Sequence, residues 1–220
     1  MQLAPGPDGG TGGSYQFSGN DNSFIEFPNN GGLDTRYSLT FLAWIYHEQE
    51  KGSIFYFAQQ GFGFGVRFLI NENDRFSAIL RRSDNFTRIQ TTTSKILEPR
   101  TWHFVGTTFN FTSGEFRIWI NGSKDDGKWI EEPVEISTQL NVIMGAFSGN
   151  SGNFKGRISC VQLYDRVLTE QEIDEAKNLC SAIGMGLTNL TKTIVGFHTT
   201  SPKLKLKTYR SYRDFTFTMH

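Results

Sequence analysis

Between Gly156 and Cys180 the chain holds both of its cysteines, Cys160 and Cys180, and crowds four carboxylates, Glu170, Glu172, Asp174 and Glu175, into six residues. Neighbouring carboxylates can serve as general acid and base, so the cluster is tested first for catalysis. Its local text has another explanation. Thr169-Glu170-Gln171-Glu172 has capping-box spacing, in which the threonine hydroxyl takes an orphan backbone N–H and Glu172 reaches back. Acids in a first turn also complement the positive end of the helix dipole. Ile173, Ala176 and Leu179 recur at helical spacing and can face the body. The cluster reads as helix-start chemistry, and no catalytic residue is assigned.

The cysteines bracket a strand, a turn and this helix. A bridge between Cys160 and Cys180 would close a loop of about twenty residues and contribute roughly 3 kcal/mol by chain entropy. Two buried free thiols are the alternative reading. Four Asn-X-Ser/Thr sequons, at Asn85, Asn110, Asn121 and Asn189, favour the bridge, because all lie in turn-like or tail positions suited to extracellular glycosylation. MQLAPGPDGG has neither the charged nor the apolar region of a signal peptide. The chain is therefore read as intracellular or as an incomplete piece of a secreted protein, and the sequons favour the second.

The elements that must position these groups are short and alternating. SLTFLAWIY sets Leu39, Phe41, Ala43 and Ile45 on one face and Leu42, Trp44 and Tyr46 on the other, a strand buried on both sides. SYQFS, FIEF, SIFYFA, FGVRFLI, RFSAILR, FTRIQ, WHFVGTTFN, EFRIWI and LNVIMG continue the series between Gly, Asn and Asp punctuation. Asn121-Gly122 after EFRIWI signals a tight hairpin. In the closing strand, Ile158, Cys160, Gln162 and Tyr164 are expected on one face, opposite Val161 and Leu163. The expected fold is an all-β, two-sheet antiparallel sandwich with one short C-terminal helix.

Residues 1–13 form a Gly/Pro-rich approach, 14–180 the domain, and 181–220 a basic tail expected to be disordered or to begin another segment. Twenty-two basic and 22 acidic residues balance over the whole chain. The tail holds six of the bases and one acid, leaving residues 1–180 at a net −5. Nothing in that balance points to nucleic acid, and no apolar run is long enough to span a membrane.

Several stretches together resemble the laminin G-like, concanavalin A-like jelly rolls. GGSYQFSGNDNSFIEF is similar to that family's opening element, and SLTFLAWIYHE to its central strand. LEPRTWHFVGTTFNFTSGEFRIWINGSK resembles its Trp-started strand, turn and Asn-Gly-terminated strand. FKGRISCVQLYDRVLTEQEIDEAKNLC resembles its last strand, turn and helix. The likeness is strongest to versions in cnidarian extracellular proteins, which usually begin one strand earlier. It implies that the strand at Ser14–Ser18 has a bare edge here.

The resemblance also implies sites. Many members hold one structural calcium between the opening element and the last strand, which here corresponds to Asn20, Asp21 and Asp165; ordinary turn chemistry is the alternative. Glucanases of this fold use a Glu-x-Asp-x-x-Glu strand, with the catalytic carboxyls about 5 Å apart. Glu172-Ile173-Asp174-Glu175 departs from that spacing and lies on a helix. No nucleophile elbow, phosphate loop or paired-histidine motif occurs, and His47, His103, His198 and His220 are scattered. Ring faces that could stack on a pyranose point to Phe62, Phe64 and Trp129, in rim segments 59–64 and 125–129. The expected function is an extracellular, non-enzymatic adhesion module for a glycan or matrix protein. A diverged glycoside-acting enzyme and a ligand-free structural spacer are the alternatives.

Overall fold

The computed structural model describes residues 2–48, 51–59, 63–83, 88–132, 134–147, 152–183 and 218–219. In chain order the strands are β1 (Gln2–Ala4), β2 (Ser14–Ser18), β3 (Ile25–Phe27), β4 (Ser38–His47), β5 (Gly52–Phe57), β6 (Val66–Ile70) and β7 (Phe76–Arg81). There follow β8 (Arg88–Thr92), β9 (His103–Asn110), β10 (Glu115–Ile120), β11 (Ser123–Trp129), β12 (Val142–Met144), β13 (Lys155–Tyr164), helix α1 (Glu170–Ile183) and β14 (Thr218–Met219). They build two antiparallel sheets, ordered β1-β2-β13-β4-β9-β10-β11 and β14-β3-β12-β5-β6-β7-β8. The two-sheet all-β sandwich with one helix is the fold expected from the alternation.

The core lies between the sheets. Phe41 of β4 stacks on Phe68 of β6 at 4.2 Å and meets Phe55 of β5 at 5.0 Å. Leu39, Ala43 and Ile45 join it, all inaccessible to solvent. Each of the Phe, Leu and Ile side chains contributes about 1.5–3 kcal/mol through burial. The opposite face of β4 is covered too. Leu42, with Phe104 of β9 and Trp119 of β10, receives Leu168, Ile173 and Ala176 from the turn and helix. Helix α1 therefore closes the outer face of the first sheet. The outer face of the second sheet carries a separate, smaller apolar cluster around Tyr56, Phe64 and Ile79.

Four features depart from the alternation. The pairing of β13 with β4 shifts register between Ser159 and Gln162, where Cys160 has φ +50°. That bulge inserts one residue, so Ile158 joins Val161 and Leu163 in the core, while Gln162 hydrogen-bonds Ala176 O on the helix side. At the N-terminus, Gln2–Ala4 pairs with Ser14–Gln16, and Ser14 Oγ donates to Ala4 O and Pro5 O. The stretch read as an approach thus supplies a strand, and the edge of β2 is covered. Residues 125–129, read as a rim loop, belong to strand β11 opposite β10, with Asn121 and Gly122 at φ +56° and +89° forming the tight turn between them. Of the tail, residues 184–217 lie outside the described residues, and the backbone of Thr218–Met219 pairs with β3.

Candidate functional site

The acid cluster folds as a cap. Glu172 N donates to Thr169 Oγ1 at 3.3 Å, and Thr169 N donates to Glu172 Oε2 at 2.9 Å. Arg166 then grips the same carboxylate with both terminal nitrogens, at 2.7 and 3.0 Å. Those charge-assisted bonds, with the backbone bond from Thr169, hold the Glu172 carboxyl down at about 2. Glu170, Asp174 and Glu175 are exposed. The carboxylate best placed for chemistry is thus already bound on both oxygens.

The three residues proposed for calcium do not meet. Ser18 of β2 pairs with Lys155, at the start of β13, and Asp21 follows three residues later. Asp165 follows Tyr164, at the far end of β13. Ten residues of strand separate the two ends by roughly 30 Å, whereas calcium holds its oxygens at about 2.3–2.6 Å. Asp21 Oδ1 instead accepts the Asn153 carboxamide at 2.7 Å, and Asn20 and Asp165 are exposed. The opening strand runs antiparallel to the closing one, so its far turn lands at the wrong end.

The aromatic candidates separate as well. Phe62 lies outside the described residues. Phe64 is buried, and Phe147 and two guanidinium groups surround its ring, so it is a support rather than an exposed platform. Trp129 is 63 % exposed, with the Arg117 guanidinium 5.3 Å from its ring centre, and it belongs to the other sheet. Among the sequons, Asn110 ends β9 and Asn121 stands in the turn after β10, and both side-chain oxygens accept backbone N–H groups. Asn85 and Asn189 lie outside the described residues, as does the side chain of Cys180. Cys160 carries no free thiol.

What the structure assembles is a group of arginines on the outer face of the second sheet. Cross-strand register lines up Glu26, Ile143, Tyr56, Arg67, Ile79 and Gln90 across β3, β12, β5, β6, β7 and β8. Arg81 and Arg88 form the next pair toward one end of β7 and β8. The Arg67 guanidinium lies 3.6 Å from the Phe147 ring centre and 5.8 Å from that of Phe64, and its Nε donates to Ser53 Oγ at 3.3 Å. Arg81 covers Phe64 at 4.8 Å. Phe147 is held in turn, because its N–H donates to Asn153 Oδ1 at 2.9 Å. Gly152 leaves the space the guanidinium needs, since a Cβ there would stand 3.0 Å from Arg67 Nη2.

Burial pushes the Arg67 guanidinium down to about 10, so it remains a cation at neutral pH. Among the described residues it makes no ion pair. Each of these arginines sits in an alternating segment (FGVRFLI, RFSAILR, FTRIQ) at a position facing away from the core. Their recurrence on three successive strands was the available signal.

Comparison with known proteins accords with this architecture. The native heptameric SAP-like pentraxin of Limulus polyphemus superposes with a TM-score of 0.57 at 18 % identity, over 72 % of this chain and 78 % of that one. The botulinum neurotoxin serotype G binding domain gives 0.64 at 13 %, over 78 % and 44 %. Domains LG4-5 of the mouse laminin alpha1 chain give 0.59 at 17 %, over 78 % and 46 %. This chain therefore spans less than half of the toxin and laminin chains. No curated protein sequence matches. The laminin G family model described as the concanavalin A-like lectin/glucanases superfamily matches residues 18–174, and the chain belongs to that family.

Proposed function

We propose that this chain is an extracellular, non-enzymatic binding module that recognises a glycan through the outer face of its second sheet. The observation that carries the reading is the arginine–aromatic group around Arg67. It is a set of hydrogen-bond donors fixed by packing on a stiff scaffold, on the sheet face that the helix leaves open. A rigid sheet presents such groups with little ordering cost on association. The family supports a binding role, and the structural neighbours include a toxin binding domain and laminin LG domains. The capped and doubly bonded Glu172 weighs against the glycosidase alternative.

The test is a glycan panel probed with the whole chain, beside an immobilised matrix-protein panel and a reducing-sugar release assay. Retention on glycans that weakens in an Arg67→Gln/Arg88→Gln variant supports the proposal. Retention on matrix proteins alone would reassign the partner, and sugar release that survives purification would make the protein an enzyme.

A further inference from the structure

We infer that Asn110 carries an N-linked glycan whose first sugar rings pack on Trp129, at one end of the first sheet's outer face. This rests on the extracellular part of the reading above and not on its binding face. The first ground is the state of the indole. Trp129 is the most exposed large apolar side chain among the described residues, in a strand otherwise made of polar residues and one glycine. It is nonetheless held in place. The Arg117 guanidinium lies 5.3 Å from the ring centre, and Arg117 Nε donates to Glu115 Oε1 at 2.5 Å. Gly127, opposite Arg117, leaves room for that side chain, since a Cβ there would stand 2.4 Å from Arg117 Cδ. An arginine stacked on one face of an indole fixes the ring and leaves the other face to solvent.

The second ground is the cross-strand row. Glu115 pairs with Trp129 across β10 and β11, and Asn110 and Glu115 are the residues next to the pair Phe109–Phe116 across β9 and β10. Phe109 and Phe116 face the core, so alternation sets Asn110, Glu115 and Trp129 together on the outer face. Asn110 and Trp129 stand two strand spacings apart, roughly 10 Å, a gap that linked pyranoses on the asparagine span. The apolar side of a pyranose then covers the open face of the indole and removes both from water.

The third ground is the acceptor. Asn110 Oδ1 accepts Thr112 N at 2.9 Å and Ser113 N at 3.1 Å, while Nδ2 has no hydrogen-bond partner among the described residues. Phe111, between the asparagine and the threonine, turns to Tyr37 at 5.4 Å and to the core. Asn121, the other described sequon, lies against helix α1, where Lys177 Nζ donates to its carbonyl at 3.2 Å. The open indole therefore singles out Asn110. In the transfer, Nδ2 bonds to the anomeric carbon of an oligosaccharide linked to a lipid pyrophosphate. The carbon–oxygen bond to the pyrophosphate breaks, the lipid pyrophosphate leaves with the electron pair, and the amide gives up one proton.

The experiment secretes the whole chain from eukaryotic cells as wild type, Thr112→Ala, Trp129→Phe and the double variant. Thr112→Ala removes the sequon hydroxyl and keeps the Asn110 carboxamide, and both changed side chains are exposed, so each variant should fold. Glycopeptide mapping should find Asn110 occupied in the wild type and bare in Thr112→Ala. Acrylamide quenching of tryptophan emission then reads the packing, with Trp129 one of four tryptophans. The quenching constant should rise in Thr112→Ala, and rise likewise when an amidase strips the glycan from the wild type. In the Trp129→Phe background, Thr112→Ala should leave quenching unchanged. An unoccupied Asn110 in secreted protein would overturn the inference, as would quenching that is the same with and without the glycan. The glycan panel described above should retain Thr112→Ala as it retains the wild type. A panel that retains neither would sink the binding face and leave the Asn110 glycan standing. A chain that enters the secretory pathway and is not released would overturn the extracellular reading and this site with it.

Discussion

Asp21 Oδ1 accepts a hydrogen bond from Asn153 Nδ2 at 2.7 Å, and through it a turn of the first sheet fixes a ring beneath an arginine of the second. Asn153 is buried, and its carboxamide oxygen receives the Phe147 N–H on whose ring Arg67 lies. Asp21 is thus a positioning residue three contacts from the guanidinium. Asp21→Ala should cost about 1–2 kcal/mol of stability, because it leaves a buried amide donor short of a partner. Urea denaturation should show the same loss in millimolar calcium and in EDTA. A loss confined to calcium would restore Asp21 as a metal ligand.

Thr169 and Glu172 bond each other's backbone N–H, so the start of the helix depends on one hydroxyl and one carboxylate. Thr169→Ala should cost about 1 kcal/mol. The pH response has a definite sign. The Glu172 carboxyl is held down at about 2, below its unfolded value near 4.5. Its contribution is present above about pH 4.5 and is lost as pH falls toward 2. Glu172→Gln should therefore flatten the stability profile between those limits and leave the glycan affinity unchanged. A glycosidase activity that vanishes in Glu172→Gln would contradict the structural role.

The parts legible in the sequence were those in which one local rule acts alone. The alternation of β4, the Asn121-Gly122 turn and the Thr169–Glu172 cap each follow from residue spacing, and each appears in the structure. The bulge at Cys160 was not legible, because a single inserted residue leaves no mark on composition and yet reverses the face of Ile158. Asn20, Asp21 and Asp165 failed as a set for a related reason. Their proximity depended on the direction in which β2 meets β13, which is a property of pairing and not of either segment. Arg67 was overlooked because a lone outward arginine in a strand ordinarily means solvent. Its meaning comes from Phe147, eighty residues later in the chain.

His47 supplies a separate acid response. Its ring is 1 % exposed, Nε2 lies 3.1 Å from Asp74 Oδ1, and Nδ1 has no hydrogen-bond partner among the described residues. Burial, with the His103 ring 6.4 Å away, pushes its proton affinity down against the pull of Asp74. A histidine whose folded pKa lies below its unfolded value contributes stability above about pH 6.5 and loses it as pH falls. His47→Gln should reduce the slope of unfolding free energy against pH between 7 and 5, measured in urea. A wild-type stability that rises across that acid range would refute the assignment.

The last prediction concerns the cysteines. The bulge that turns Ile158 inward also turns Cys160 toward the helix, where Gln162 Nε2 bonds both Cys160 Sγ at 3.2 Å and Ala176 O at 3.1 Å. Cys180 follows Ala176 by four residues, one turn farther along the same helix face. We therefore expect Cys160 and Cys180 to be joined in the oxidised protein, fastening the end of the helix to β13. Non-reducing peptide mapping should recover the two peptides as one species. The double variant Cys160→Ser/Cys180→Ser should be less stable by about 2–4 kcal/mol, the range for a bridge closing a loop of this size. The capping box at the other end of the helix should keep its first turn in place, so hydrogen exchange should rise at residues 176–180 more than at 170–173. Two free thiols in secreted protein, or exchange that rises uniformly along the helix, would reject the bridge as its fastening.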